Sequence, residues 1–118
     1  MATNSVPTPK LGLTTKRTPT ETIVHCTGRI VSDTTQLLRT TVKPLFSDGK
    51  TVVLDLTDVN YMDSSGLGTV VGLYASSKAA NCQLKLINLN ERLKELFSIT
   101  RLGELMAQGH HPDYLGMP

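Results

Sequence analysis

The sequence predicts an α/β domain: a mixed β-sheet of about four strands with helices packed on it, in the order β-β-α-β-α-β-α. Three observations carry this. The run Thr51–Leu56 holds Val52, Val53, Leu54 and Leu56 and leaves only Asp55 for solvent, which fits a central strand covered on both faces. Two longer runs, Leu37–Phe46 and Leu67–Lys78, carry apolar residues at helical spacing. Strands and helices alternate with short connections, and such strand-helix-strand units give parallel neighbours joined by right-handed crossovers. The 118 residues leave room for one core.

Residues 1–10, with Thr, Asn, Ser and two prolines, read as a flexible tail. Leu11 to Lys16 is a weak strand and Pro19-Thr20 a turn, and a domain spanning 11–106 starts here. Thr22 to Arg29 is a better strand, with β-branched Ile23-Val24 and with Gly28 near its end. Asp33 is the expected N-cap of the first helix, with Gln36 completing a capping box. Leu37, Leu38, Val42, Leu45 and Phe46 follow at helical spacing. Pro44 lacks an N–H, so the last turn must kink or the helix must stop early. Ser47–Lys50 is a turn. After the strand Thr51–Leu56, a connection is expected over Thr57–Asp63, then a helix over Ser65–Ala80. Its expected apolar face is Leu67, Val70, Val71, Tyr74 and Lys78, with Leu73 beside them and Asn81 as its stop. Gln83–Ile87 is a short strand. Asn90 caps a last helix whose buried stripe is Leu93, Leu96 and Phe97, Gly103 breaks that pattern, and 107–118 is a C-terminal tail.

Composition excludes several functions. Hydrophobic residues make up 39% and charged residues 19%, as in a soluble globular domain with an aliphatic core, since Trp is absent. A net charge of +2 without basic-aromatic clustering argues against nucleic acid. No apolar run approaches the roughly 20 residues of a membrane span, and the start lacks a signal-peptide pattern, so a cytoplasmic location is expected. Cys26 and Cys82 are widely spaced and read as reduced, buried side chains. No Cys/His spacing calls for a metal, and nothing calls for a cofactor.

Asp63-Ser64-Ser65-Gly66-Leu67-Gly68 breaks local rules. Gly66, Gly68 and Gly72 lie inside a helical pattern, where each costs roughly 1 kcal/mol relative to Ala. Two offsets suggest themselves: close approach of another backbone to the small-residue stripe Gly68, Gly72, Ala75 and Ala79, or an uncluttered helix start that leaves Ser64 accessible. Ser64 precedes the helix and can serve as its N-cap. It can equally carry a phosphate, because a helix N-terminus tolerates the charge of about −1.5 to −2.

Val53-Leu54-Asp55-Leu56-Thr57-Asp58-Val59-Asn60-Tyr61-Met62-Asp63-Ser64-Ser65-Gly66-Leu67-Gly68 resembles the signature of STAS domains, in particular bacterial anti-sigma factor antagonists. Thr27-Gly28-Arg29-Ile30 resembles the strand end before that family's first helix, and Leu93-Lys94-Glu95-Leu96-Phe97 its last helix. The resemblance implies a STAS fold and a partner-switching role in transcription regulation. The partner is an anti-sigma factor with serine kinase activity, Ser64 is the phosphorylation site, and a serine phosphatase resets the switch. Asp63, Ser64, Ser65, Gly66 and Leu67 then form the docking surface. The alternative within the family is a non-switching scaffold, or a subunit of a lipid-transport or stress-signalling complex.

Enzyme readings fit less well. Nine residues separate Gly66-x-Gly68-x-x-x-Gly72 from Leu56, too many for a dinucleotide turn, and Asn88 stands where an acidic residue is needed. A nucleophile elbow needs a Gly two residues before the Ser, which neither Ser64 nor Ser65 has. Asp55, Asp58 and Asp63 are expected in turns and caps rather than around a metal. His25 is expected to pack within a strand or at its edge. Arg29, Lys43, Lys78 and Lys85 read as solvated surface, some of it available to an acidic partner.

Overall fold

The structure, a computed structural model, describes residues 10–99. Residues 1–9 of the expected tail 1–10, the break at Gly103 and the expected tail 107–118 lie outside the described residues.

Four strands form one sheet in the order β1 (Leu11–Arg17), β2 (Glu21–Ile30), β3 (Thr51–Met62), β4 (Leu84–Ile87). β1 pairs antiparallel with β2, and β2–β3 and β3–β4 pair in parallel, so the predicted mixed sheet is the one observed. The helices are α1 (Thr35–Val42), α2 (Ser64–Ala79) and α3 (Glu91–Ile99). Val24 and Cys26 of β2, Val52, Leu54 and Leu56 of β3, and Leu84 and Leu86 of β4 are buried. They form one core with Leu38 and Val42 of α1, Val70 and Leu73 of α2, and Leu93 and Phe97 of α3. Val53, which alternation sends to the opposite face, is also buried, beside its cross-strand neighbours Ile23 and Lys85. Burial pushes the Cys26 thiol up to about 12, and both cysteines are buried and free, as expected of inert small side chains.

Several local expectations are corrected. Asp33 does not cap α1. Its carboxylate pairs with Lys10, and Thr34 occupies the cap position without a capping bond. The Thr34 hydroxyl instead closes the β2–α1 loop, accepting from Val31 N–H at 2.9 Å and donating to Arg29 O at 2.9 Å. Pro44 acts as the missing N–H requires: α1 stops at Val42 and a 3-10 segment, Lys43–Asp48, carries the chain to Gly49, where φ is 74°. The connection expected over Thr57–Asp63 is instead strand as far as Met62. It stays paired to β2 through register shifts between His25 and Thr27 and between Gly28 and Arg29. The buried positions of α2 are Gly66, Leu67, Thr69, Val70, Leu73 and Ser77, so Val71, Tyr74 and Lys78 lie to one side of the core face.

At the irregular stretch of β2–β3, His25 sits between two carboxylates. Its Nδ1 is 3.2 Å from Asp55 Oδ2 and its Nε2 is 2.8 Å from Asp58 Oδ2. The hydrogen bond to Asp55 raises the His25 pKa above its ordinary 6.5, burial opposes this, and Asp58 adds to the rise. Burial works against the Asp55 charge too. It is outweighed by the Thr57 hydroxyl, the Asn88 amide, the Thr57 N–H and His25, which together hold Asp55 at about 2.

What places α2 is Gly66. A Cβ built there would lie 2.1 Å from Ile30 O at the end of β2, whereas one on Gly68 or Gly72 would meet nothing within 4 Å. The close backbone approach expected of the small-residue stripe therefore occurs two residues before it, at Gly66, and Gly68, Gly72, Ala75 and Ala79 are exposed.

Two outcomes follow. Gly66→Ala should lose about 1–3 kcal/mol in urea unfolding, because backbone cannot yield as a side-chain tip can, while Gly68→Ala should be neutral or gain up to about 1 kcal/mol. A reversed order would refute the packing account. The His25 contribution is full below its unfolded pKa and is lost as pH rises through the higher folded value. Stability should therefore fall as pH rises past the ordinary value of 6.5 and through the raised folded one, and urea melts of His25→Gln should show a smaller fall.

Candidate functional site

The segment singled out by sequence lies where β3 ends and α2 begins. Asp63 sits in extended conformation, at φ −100° and ψ −176°, and is the N-cap: its Oδ1 accepts from Gly66 N–H at 2.9 Å. The capping role expected of Ser64 thus belongs to the residue before it. Asp63 also ties this corner to the next strand. Its N–H donates to Ile30 O at 3.3 Å, and its Oδ2 accepts from Ser32 N–H at 3.4 Å. Asp63 O accepts from Leu67 N–H at 2.9 Å, which closes the first turn of α2.

Ser64 is therefore the first helical residue, and its side chain is exposed. Ser65 is exposed as well, and its carbonyl accepts from the Thr69 hydroxyl at 2.9 Å. Asp63 is half-buried, and Gly66 and Leu67 are buried. Of the five residues expected to dock, two have exposed side chains and the other three fix the helix start beneath them.

Sequence reasoning missed two neighbours. Arg29 was expected as plain solvated surface, yet its guanidinium lies 5.3 Å from the centre of the Tyr61 ring. The two are cross-strand partners at the ends of β2 and β3, and Tyr61 is 38% exposed, two residues from the N-cap. The signal available was the register itself, which depends on the bulges and cannot be read from one strand alone. Leu37 on α1 is the other large apolar side chain exposed among the described residues, at 46%.

The three aspartates are divided among separate tasks. Asp55 and Asp58 flank His25, and Asp63 caps α2. None of the described residues forms a cluster of three or more His, Cys, Asp or Glu able to hold a metal ion. No helix among them is long and apolar enough to cross a membrane.

The STAS domain family model matches residues 13–113. Over 83 residues the chain is 41% identical to the anti-sigma-B factor antagonist of Bacillus subtilis, covering 70% of this chain and 76% of that protein. The anti-sigma-B factor antagonist of Listeria monocytogenes is 42% identical over 59 residues, 50% of this chain and 52% of its own. Among solved structures, the phosphorylated form of the Bacillus cell fate determinant SpoIIAA superposes with a TM-score of 0.65 at 20% identity, over 80% of this chain and 87% of that one. That similarity concerns the fold. With the same α/β sheet and a family match over most of its length, this chain belongs to the STAS domain family.

Proposed function

We propose that the chain is an anti-sigma factor antagonist that binds an anti-sigma factor with serine kinase activity and is switched off by phosphorylation of Ser64. Release of the sigma factor then depends on the unphosphorylated form, and a serine phosphatase restores it. The reading places the chain in the cytoplasm with the transcription machinery. The names of its relatives support the antagonist role. The observation that carries the switch is an exposed Ser64 at the first position of a helix whose start is fixed by its neighbours.

The physics of that position decides what a phosphate would do. The first N–H groups of a helix lack intrahelical acceptors and favour anions. Here the Asp63 carboxylate already holds the Gly66 N–H. A phosphate on Ser64 therefore joins an existing negative charge and stays hydrated at the surface. It does not replace the cap, so the fold is kept. A partner docking on this corner must desolvate that charge without a cation placed to meet it, at a cost of several kcal/mol. Each 1.4 kcal/mol is about tenfold in affinity, so one phosphate suffices to release the partner.

Incubation with the cognate kinase and ATP should add one phosphate, and peptide mapping by mass spectrometry should place it on Ser64. A phosphate on Ser65, or none with an active kinase, would sink the assignment. Ser64→Asp should weaken kinase binding by about tenfold or more and leave the thermal melt nearly unchanged, because Asp63 remains the cap. Ser64→Ala should bind and resist inactivation.

A further inference from the structure

α1 and α2 enclose a cleft of about 370 Å³. Arg39 and Lys43 line it from the α1 side, and Ser65, Gly68, Gly72 and Ser76 from α2. Among the described residues no acidic side chain lines it. Arg39 donates to Gln36 Oε1 at 3.2 Å. Lys10, Arg17 and Lys94 each form an ion pair with a carboxylate, but neither Arg39 nor Lys43 forms one among the described residues.

The two walls are unusual for different reasons. Arg39 and Lys43 are like charges one helical turn apart, a mildly unfavourable spacing. The dipole of α1 favours cations at its C-terminal end, which accounts for their position and not for what faces them. Opposite them, α2 presents two glycines, each costing roughly 1 kcal/mol relative to Ala in a helix. A Cβ at either would meet open space, so packing among the described residues does not require them. A main chain lying directly against α2 would. A cationic wall facing a helix stripped of side chains fits a chain segment that brings its own carboxylates.

We propose that an acidic segment of the protein partner lies in the α1–α2 cleft, its carboxylates meeting Arg39 and Lys43 and its backbone resting on Gly68 and Gly72. The proposal rests on the antagonist reading and extends the docking surface along α2 as far as Ser76. It also gives the switch a repulsive element. Ser65 lines the cleft, so a phosphate on the adjacent Ser64 brings negative charge toward an acidic occupant.

The test measures binding of the full chain to the purified anti-sigma kinase by calorimetry at low and high salt. Arg39→Glu combined with Lys43→Glu should lower affinity by about tenfold or more. Wild-type affinity should fall with salt, and that of the double variant should fall much less. Gly72→Leu fills the open space while raising helix propensity, so it should weaken binding by a similar factor with a thermal melt no lower than wild type. If these variants bind like wild type while Ser64→Asp binds poorly, the cleft proposal is overturned and the switch reading stands. If the cleft variants bind poorly while Ser64→Asp does not, the cleft stands and the switch falls. A wild-type chain that does not bind the kinase overturns both.

Discussion

The corner where β2 ends and α2 begins rests on the hydrogen bonds of one residue. Asp63 donates its N–H to Ile30 O, accepts from Ser32 N–H through one carboxylate oxygen, and caps α2 through the other. Strand, loop and helix are thereby held at one point. Gly66 completes the joint by letting the helix backbone approach Ile30 O more closely than any side chain would allow. The exposed Ser64 has its place because Asp63 before it and Gly66 after Ser65 are committed inward.

That division of labour explains why the segment looks wasteful as a sequence. Its glycines do not share one purpose. Gly66 is required by packing, while Gly68 and Gly72 face open space along the cleft beside Arg39 and Lys43. A side chain added at the first disturbs the sheet, and one added at the others alters only the surface. Tight packing and open surface thus fall at different positions of the same helix, and each can be changed without the other.

Element order and sheet topology were legible because they follow from apolar periodicity, which Val52–Leu56, Leu93 and Phe97 display without ambiguity. Asn90 was readable as a cap as well, and its Oδ1 accepts from Leu93 N–H at 2.8 Å. Details set by distant partners were not legible. Asp63 and Ser64 are both good caps, and the bond from Asp63 N–H to Ile30 O selects between them. Asp33 is a good cap that Lys10, from just before β1, draws away. The second half of β3 reads as a loop because Thr57, Asp58 and Asn60 are polar, and only the bulged pairing with β2 keeps it a strand. His25 was placed in its strand by sequence, but Asp55 reaches it as its cross-strand partner on β3 and Asp58 across the register shift that follows.

The Asp63 joint makes the site discontinuous in the chain. A peptide cut from residues 58–72 contains Asp63, both serines and all three glycines, yet it lacks Ile30 and Ser32. It would also be a short helix with three glycines, unstable alone in water. Any protein that reads the geometry of this corner, rather than its letters, therefore reads the folded domain and ignores the unfolded chain. A modifying enzyme with that preference would act on folded copies and pass over misfolded ones.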